Sequence, residues 1–482
     1  MISFIQRLED LAAEDGRATA ITCGAESISR SELMECGYNL AVYLHEHGTR
    51  EGDMVTVAVP NSIDFFIAYV AAWRLGATPQ PISSRLPQRE LEAIIELANS
   101  SAIIGVDDQA FVGRTCVPLG FRAPTADASH LPYVVSKAWK APTSGGSTGR
   151  PKLIVSGDPA ALDPDAAVPL LMQKGGCLVM PGPLYHNGPA VWSCQAWLHG
   201  LHVVLLAKFD AMGTLEAIEK HRGTVLYMVP TMMKRITRLP ESDRLSFDIS
   251  SLQVVWHLAE PCPEWLKQEW IDWLGPERIF ELYAGTEAQT ATVITGHEWL
   301  AHRGSVGMTV PGTVMITDED GNELGVGEMG EVWMRSLRTT PTYIYVGATA
   351  RTREGGWESL GDMGYLDADG YLYLGDRAAD MILSGGANIY PAEIESALQE
   401  HPLVKSCAVI GFPDEDKGNL IHAIVEADVN ALSEEELKSF LGERLVVYKI
   451  PRTYEFVEFA LRDDAGKVRR SALRAERLGN AQ

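Results

Sequence analysis

Between Thr143 and Lys152 the chain reads TSGGSTGRPK, seven successive Gly, Ser or Thr residues followed by Arg150, Pro151 and Lys152. A run without bulky side chains lets backbone N–H groups and hydroxyls converge on phosphate oxygens, and Lys152 would add a cation. The spacing is neither a Walker A loop, which needs Gly-Lys-Ser/Thr, nor GxGxxG. A flexible linker has the same composition. Further on, ELYAGTEAQ (281–289) ends an expected strand with Thr286 and Glu287. A carboxylate there suits Mg2+, which takes oxygen ligands and usually also touches a phosphate. A solvated glutamate at a strand end is the plainer alternative. ESLGDMGYLDADGYLYLGDR sets Asp362 and Arg377 in adjacent strand–turn contexts. There Asp362 could accept from ribose hydroxyls or only close a turn. DDAGKVRRSALR puts Lys467 on a glycine-led turn in a basic run, where a surface lysine competes with a functional one.

Such residues need elements to hold them. MVTVAV (54–59) reads as a buried strand, followed by SIDFFIAYVAAWRL in helical period as far as Gly76. Asn61 is the expected N-cap, with Asp64 three residues later. GATPQPIS returns to an extended segment. The rhythm recurs as strand 202–207, helix 213–222 and strand 224–229, then strand 252–259, helix 263–274 and strand 278–284. This alternation predicts βαβ units and a mainly parallel sheet. From 305 to 375 short strands alternate with turns, which predicts a smaller β-rich subdomain. After Arg377, NIYPAEIESALQEH predicts a helix with Pro391 in its first turn and Ile394, Ala397 and Leu398 on one face. CAVIGF and LIHAIVEA read as strands. Ser433 and Glu436 predict a capping box for a helix burying Leu437, Phe440 and Leu441. The C-terminal part is thus a compact α/β unit with its own core.

Bulk properties narrow the function classes. A chain of 482 residues is too long for one core and implies two or more domains. A net charge of -23 argues against a general nucleic-acid or anionic-membrane surface, so any anionic ligand must be held by specific groups. The cysteines at 23, 36, 116, 177, 194, 262 and 407 form no CxxC pair, which signals neither a zinc site nor a disulfide framework and fits a reducing cytoplasm. No apolar run reaches membrane-spanning length, and the start MISFIQRLEDLAAEDG lacks a signal-peptide pattern.

PNSIDFFIAYVAAWRLGA, the 143–152 loop, PLYHNG (183–188), YAGTE (283–287), Gly361-Asp362, GDRAADMILSGGANIYPAEIE (375–395) and Gly466-Lys467 resemble, in this order, the adenylate-forming superfamily of acyl-CoA synthetases, peptide-synthetase adenylation domains and luciferases. The resemblance covers essentially the whole chain. SGGANIYPAEIE is most similar to the acyl-CoA synthetase branch. HLAEPCPEWLKQEWIDWLGPERIFELYAGTE is similar to synthetases acting on bile-acid-like, steroid or other bulky carboxylates. The resemblance implies an α/β fold: a large N-terminal domain of parallel-sheet βαβ subdomains plus a small β-rich subdomain, with a small mobile C-terminal α+β domain. It places an adenylation domain at 1–377, a hinge at 378–381 and the mobile domain at 382–482.

It implies ATP, Mg2+ and coenzyme A as reactants and cofactor, and a carboxylic acid as substrate. Thr143, Ser144, Gly145, Gly146, Ser147, Thr148, Gly149 and Lys152 would hold the β- and γ-phosphates. Glu287 would hold Mg2+, Thr286 would touch the α-phosphate, and Asp362 and Arg377 the ribose. Ala259, Glu260 and Pro261, with Glu281, Tyr283, Ala284 and Gly285, would flank the adenine and acyl channel. Lys467 would bridge the α-phosphate and the attacking carboxylate. His186 would orient the acid, unless it is a core histidine. Trp192 and His257, with Ala284 and Gly285, are acyl-pocket candidates or ordinary packing. Ser384, Gly385, Gly386 and Lys449 would serve coenzyme A.

Three positions depart from the family pattern. The hinge position, usually Asp or Lys, is Ala379; Ala284 stands where many relatives have Gly; and Glu260 replaces a small neutral residue near the adenine. A buried unpaired carboxylate is costly, so Glu260 is expected to be hydrogen-bonded or turned to solvent. Two other functions compete with acid–CoA ligation. One is an acyl-AMP ligase loading a carrier protein; the other is a non-catalytic relative that only binds a nucleotide or acyl metabolite.

Overall fold

The computed structural model describes residues 1–145, 151–377, 380–384, 387–414, 417–463 and 466–479, and for residues 144, 145, 376, 377 and 388 the backbone alone. Apolar strands of four or five residues, Cys177–Met180, His202–Leu205, Val225–Met228 and Val254–Leu258, pair in parallel with one another and with Ile279–Ala284. They carry few polar residues because helices cover both faces of such a sheet. The expected strands, and helices Ala211–His221 and Glu264–Leu274 between them, are present within a few residues of their predicted bounds.

A second parallel sheet orders Thr78–Pro81, Met54–Val57, Ala102–Ile104 and Thr115–Val117. Between the two sheets runs helix Ile63–Arg74, in which every residue but Asp64 is buried. A helix apolar all round belongs inside a protein. Its last residue, Arg74, is buried as well, because its guanidinium donates to the carbonyls of Ala128, Leu131 and Pro132. Asn61 is not the N-cap; Ser62 stands there without a capping bond, its hydroxyl donating to the Pro60 carbonyl (3.0 Å). Asn61 instead donates to the carbonyls of Gly182 (2.8 Å) and Leu206 (2.9 Å) and accepts from the Leu184 amide (2.8 Å). Three long-range partners that close two loops outcompete one local cap.

The 305–375 region has a core of its own around Ile316, Val332, Met334 and Leu372. Its strands nevertheless continue the main sheet, because Ala291–Thr295 turns back antiparallel on Ile279–Ala284 and passes the ladder to Ser305–Thr309 and Leu372–Arg377. One strand of the region, Tyr343–Val346, leaves it to pair with Pro151–Ser156.

The C-terminal unit packs helices Pro391–Glu400 and Glu434–Gly442 on strands Ser406–Asp414, Gly418–Glu426 and Thr453–Val457. Ile394, Ala397, Leu398, Leu437 and Leu441 are buried as predicted, while Phe440 is half-buried. Ser433 accepts from the Glu436 amide (3.2 Å), one side of the expected capping box. The buried Glu395 carboxylate is neutralised by Arg462 (3.0 Å) and Arg470 (2.9 Å), which ties this helix to the chain's last turns.

Asn61→Ala should cost about 2–4 kcal/mol, because it strands two buried carbonyls and an amide. The shift of a thermal or urea unfolding midpoint checks this.

Candidate active site

Strands 202–205 and 225–228 lie on opposite sides of 177–180, so the chain reverses direction there. In an open parallel sheet that reversal leaves a crevice at the carboxyl ends of the strands. The loop after Met180 enters it and ends at His186, the N-cap of helix Asn187–Leu198. The loop needs glycine: a Cβ on Gly188 would run into the Tyr227 hydroxyl, and one on Gly182 would lie 2.9 Å from Pro189. His186 rests against the Tyr185 ring at 4.3 Å. Trp192, one and a half turns along the helix, meets Tyr227 (5.4 Å) and Trp256 (6.0 Å) edge to face. These rings form a buried aromatic wall.

His257 does not share that wall. Neighbouring strand residues face opposite sides of a sheet, and His257 lies with Glu281, its register partner. Burial, then the Lys267 ammonium, push its imidazole well below the ordinary range, so it is neutral. His257 thus lies on the sheet face opposite Trp256. Glu281 shares that face, where its buried carboxylate forms an ion pair with Lys267.

The 143–152 segment is anchored from below. Thr143–Gly145 and Pro151–Ser156 form a hairpin ladder, and Gly146, Ser147, Thr148 and Gly149 lie outside the described residues. The Thr143 hydroxyl accepts from Gln80 (2.7 Å), and Gln80 accepts in turn from Thr56 (2.7 Å). Lys152 donates to the Tyr345 hydroxyl (2.8 Å) and, at 3.3 Å, to Glu287 Oε1. Tyr345 donates to that same oxygen at 2.5 Å. The two charged residues that the sequence singled out 135 positions apart thus meet across one tyrosine. Thr286 is half-exposed in the adjoining turn, and Ala284 is exposed at the strand end.

This corner also fits a hard cation. A Cβ on Gly285 would lie 2.3 Å from the Leu360 methyl carbon and 2.9 Å from Glu287 Oε2, so glycine lets the strand end pack closely beside the Glu287 carboxylate. Oxygen donors of this kind suit Mg2+.

Asp362 and Arg377 are register partners on neighbouring strands. Asp362 accepts from the Tyr283 hydroxyl at 2.6 Å. Ala259 takes φ +72°, a left-handed conformation that is unusual for alanine. It turns Glu260 inward, while Pro261 is exposed. Glu260 Oε2 accepts from the Thr231 amide (3.1 Å) and hydroxyl (2.8 Å), in line with the cost of an unpaired carboxylate. Its Oε1 is buried against Gly466, where a Cβ would fall on the carboxylate. Gly466 has φ +77°, and the next amide, of Lys467, donates to Asp463 (2.9 Å). The Lys467 turn of the small unit thereby reaches the 259–261 segment of the large one.

Two cations that sequence reasoning missed hold this arrangement. Arg238 donates to the carbonyls of Val404 (2.8 Å) and His401 (3.2 Å), and Lys234 to that of Lys405 (3.3 Å). These carbonyls follow the C-terminus of helix 391–400, where orphan acceptors gather. Burial pushes Lys234 down to about 7. Nothing in its local sequence distinguishes it from a surface lysine. Ser384 lies in a short hairpin whose tip, Gly385 and Gly386, is outside the described residues, as is Ala379. Lys449 pairs with Glu393 (2.6 Å).

A parallel sheet with a crevice at its strand ends, closed by a lysine-bearing turn from a small α/β unit, is the architecture of a nucleotide-activating enzyme. Residues 8–344 match the model of the AMP-binding enzyme family, and residues 393–467 that of the AMP-binding enzyme C-terminal domain. The chain belongs to this family. It is 30% identical to a feruloyl-CoA synthase of Amycolatopsis sp over 95% of each chain. It is 28% identical to the 3-[(3aS,4S,7aS)-7a-methyl-1,5-dioxo-octahydro-1H-inden-4-yl]propanoyl:CoA ligase of Rhodococcus jostii over 98% of each. Among solved structures, ATP-bound MatB from Rhodopseudomonas palustris superposes with a TM-score of 0.82 at 25% identity, covering 100% of both chains. Among the described residues no helix is long and apolar enough to cross a membrane.

Burial raises the Glu260 carboxyl to about 7, which Arg462 and the Thr231 bonds only partly offset. A raised carboxyl favours the folded state at low pH, and that contribution is lost as pH rises through about 7. Glu260→Gln should therefore melt close to wild type near pH 5 and gain on it near pH 8. Melting temperatures of both proteins across that range check the sign.

Proposed function

We propose that this chain is an ATP-dependent acid–coenzyme A ligase that activates a bulky, cyclic carboxylic acid as its acyl-adenylate and then transfers the acyl group to the coenzyme A thiol. The observation that carries this reading is the Gly466–Lys467 turn lying against Glu260 in the 259–261 segment. In this reading it brings a C-terminal lysine to the ATP that the 143–152 loop holds.

In the first half-reaction a carboxylate oxygen attacks the α-phosphorus of ATP, the bond to the β-phosphate oxygen breaks, and pyrophosphate leaves. The carboxylate is already ionised at neutral pH, so His186 orients it and no base is required. The work is positioning and charge stabilisation. In this reading the 143–152 loop and Lys152 hold the β- and γ-phosphates, Thr286 the α-phosphate, and Asp362 and Arg377 the ribose. Ala259, Glu260, Pro261 and Tyr283 to Gly285 surround the adenine, and Lys467 bridges the two reacting groups. Glu287 would hold Mg2+, which when bound neutralises phosphate charge.

In the second half-reaction the thiol sulfur attacks the acyl carbon, the carbon–oxygen bond to AMP breaks, and the thiol loses its proton. The two steps need different groups at one place, which calls for rotation of the small domain. We place the hinge at 378–381, the adenylation domain before it and the mobile domain at 382–482. Rotation would withdraw Lys467 and bring Ser384 to Asn388, and Lys449, toward coenzyme A. The Lys234 and Arg238 contacts must break in that movement. Alanine at 379 allows the rotation but offers no side-chain bond to either end state.

A cyclic acid is favoured by the aromatic wall of Trp192, Tyr227 and Trp256 and by the feruloyl and hydrindane-propanoyl names of two relatives. Seven cysteines without a disulfide suit a reducing cytoplasm. ATP–pyrophosphate exchange against a panel of aromatic and polycyclic acids tests the reading, with the thioester identified by mass spectrometry. Lys467→Ala should lower exchange by on the order of 10²–10³. Exchange at full rate in that variant, or no exchange with any acid, contradicts it.

A further inference from the structure

Strand Tyr343–Val346 runs antiparallel to Pro151–Ser156, with Tyr345 opposite Ile154. Side chains two apart on a strand share a face, so Lys152 is the diagonal neighbour of Tyr345. The register thereby brings the Lys152 ammonium to 4.0 Å from the Tyr345 ring centroid and 2.8 Å from its hydroxyl. The same segment holds Glu287 at two points. Thr342, just before the strand, donates its hydroxyl to the Glu287 carbonyl (2.8 Å), and Tyr345 donates to carboxylate Oε1 (2.5 Å). An ammonium only donates and a carboxylate only accepts, so the direction is fixed: Lys152 donates to the tyrosine oxygen, and the tyrosine donates to Glu287. Burial and the Glu287 bond push the Tyr345 hydroxyl up, so it stays protonated and remains a donor. Glu287 Oε2 accepts from none of the described residues. Tyr343, on the same face two residues earlier, serves a different carboxylate, Glu358 (2.7 Å).

We infer that Tyr345 is a positioning residue of the nucleotide site: its hydroxyl holds Glu287 Oε1, so that Lys152 can leave for a phosphate while Oε2 stays open to a divalent cation. The inference rests on the ligase reading, which gives phosphate to Lys152 and Mg2+ to Glu287. The direct contact between the two charges is long, 3.3 Å, and shares Oε1 with the tyrosine. A phosphate that draws the ammonium away breaks that contact and the Lys152–Tyr345 bond, and leaves the Tyr345–Glu287 bond whole. Without the hydroxyl, Glu287 loses the donor that sets its rotation once Lys152 has moved, and the cation would have to order the carboxylate itself.

The test titrates wild type, Tyr345→Phe and Tyr343→Phe with Mn2+·ATP, following free Mn2+ by its paramagnetic resonance, and separately with ATP in a metal chelator. Phenylalanine at 345 keeps the ring against Lys152 and removes the donor to Glu287. Tyr345→Phe should weaken Mn2+·ATP binding about tenfold, the scale of losing one partner of a metal-binding carboxylate, and leave metal-free ATP binding within about twofold. Tyr343→Phe, which leaves the Glu287 donor in place, should stay within about twofold of wild type in both titrations. An equal loss with and without metal, no loss in either, or the same loss in Tyr343→Phe assigns the hydroxyl to the fold and overturns the inference. If Tyr345→Phe does not fold, Tyr345→Met, which also lacks the hydroxyl, must show the same metal-dependent loss. A protein that binds Mn2+·ATP but exchanges no pyrophosphate with any acid contradicts the ligase reading alone. A Tyr345→Phe protein that exchanges pyrophosphate and binds Mn2+·ATP as wild type does contradicts this role of Tyr345 alone.

Discussion

Parallel pairing of Cys177–Met180 with a strand on either side sends five strand ends to one edge of the sheet. The His186, Glu260 and Glu287 segments of the large domain follow directly from those strand ends. The loops that leave those ends share one side of the sheet, and two of them meet where Glu260 accepts from the Thr231 amide and hydroxyl. What the loops carry is free to vary, but where they meet is fixed by the ladder of backbone bonds beneath them. Helix Ile63–Arg74 has the complementary task. It has no polar face to give to water, so it holds the two sheets together and takes no part in the chemistry.

The small unit adds a group that the large one lacks. Its contact is built from opposite kinds of interaction. Arg238 and Lys234 reach helix-end carbonyls, which are good but replaceable partners. Glu260 meets the Gly466 turn with a carboxylate that is only partly satisfied. An interface of this composition is held by polar contacts and not by an apolar core. The departure at Glu260, which looks like a liability in sequence, becomes the floor on which the lysine turn rests.

Much of this was legible beforehand, and for identifiable reasons. Apolar strands and amphipathic helices have periods that do not depend on context, so the βαβ series and the C-terminal helices were predictable close to their observed bounds. Residues with backbone-dominated motifs, such as the 143–152 loop and Gly466-Lys467, could be found by type and spacing. Context decided the rest. Asn61 gave up a local cap for three distant partners. His257 and Glu281 carry chemistry-bearing side chains, but strand alternation points them away from the crevice wall. Tyr345, Lys234 and Arg238 matter through partners far away in the chain, and no spacing rule marks them.

Strand Pro151–Ser156 lies between Thr143–Gly145 and Tyr343–Val346. A slide of the latter by a single place would turn both of its tyrosine rings over, releasing Glu287 and Glu358 in one event. Inherited insertions and deletions between Arg335 and Tyr343 must therefore loop out before the ladder begins.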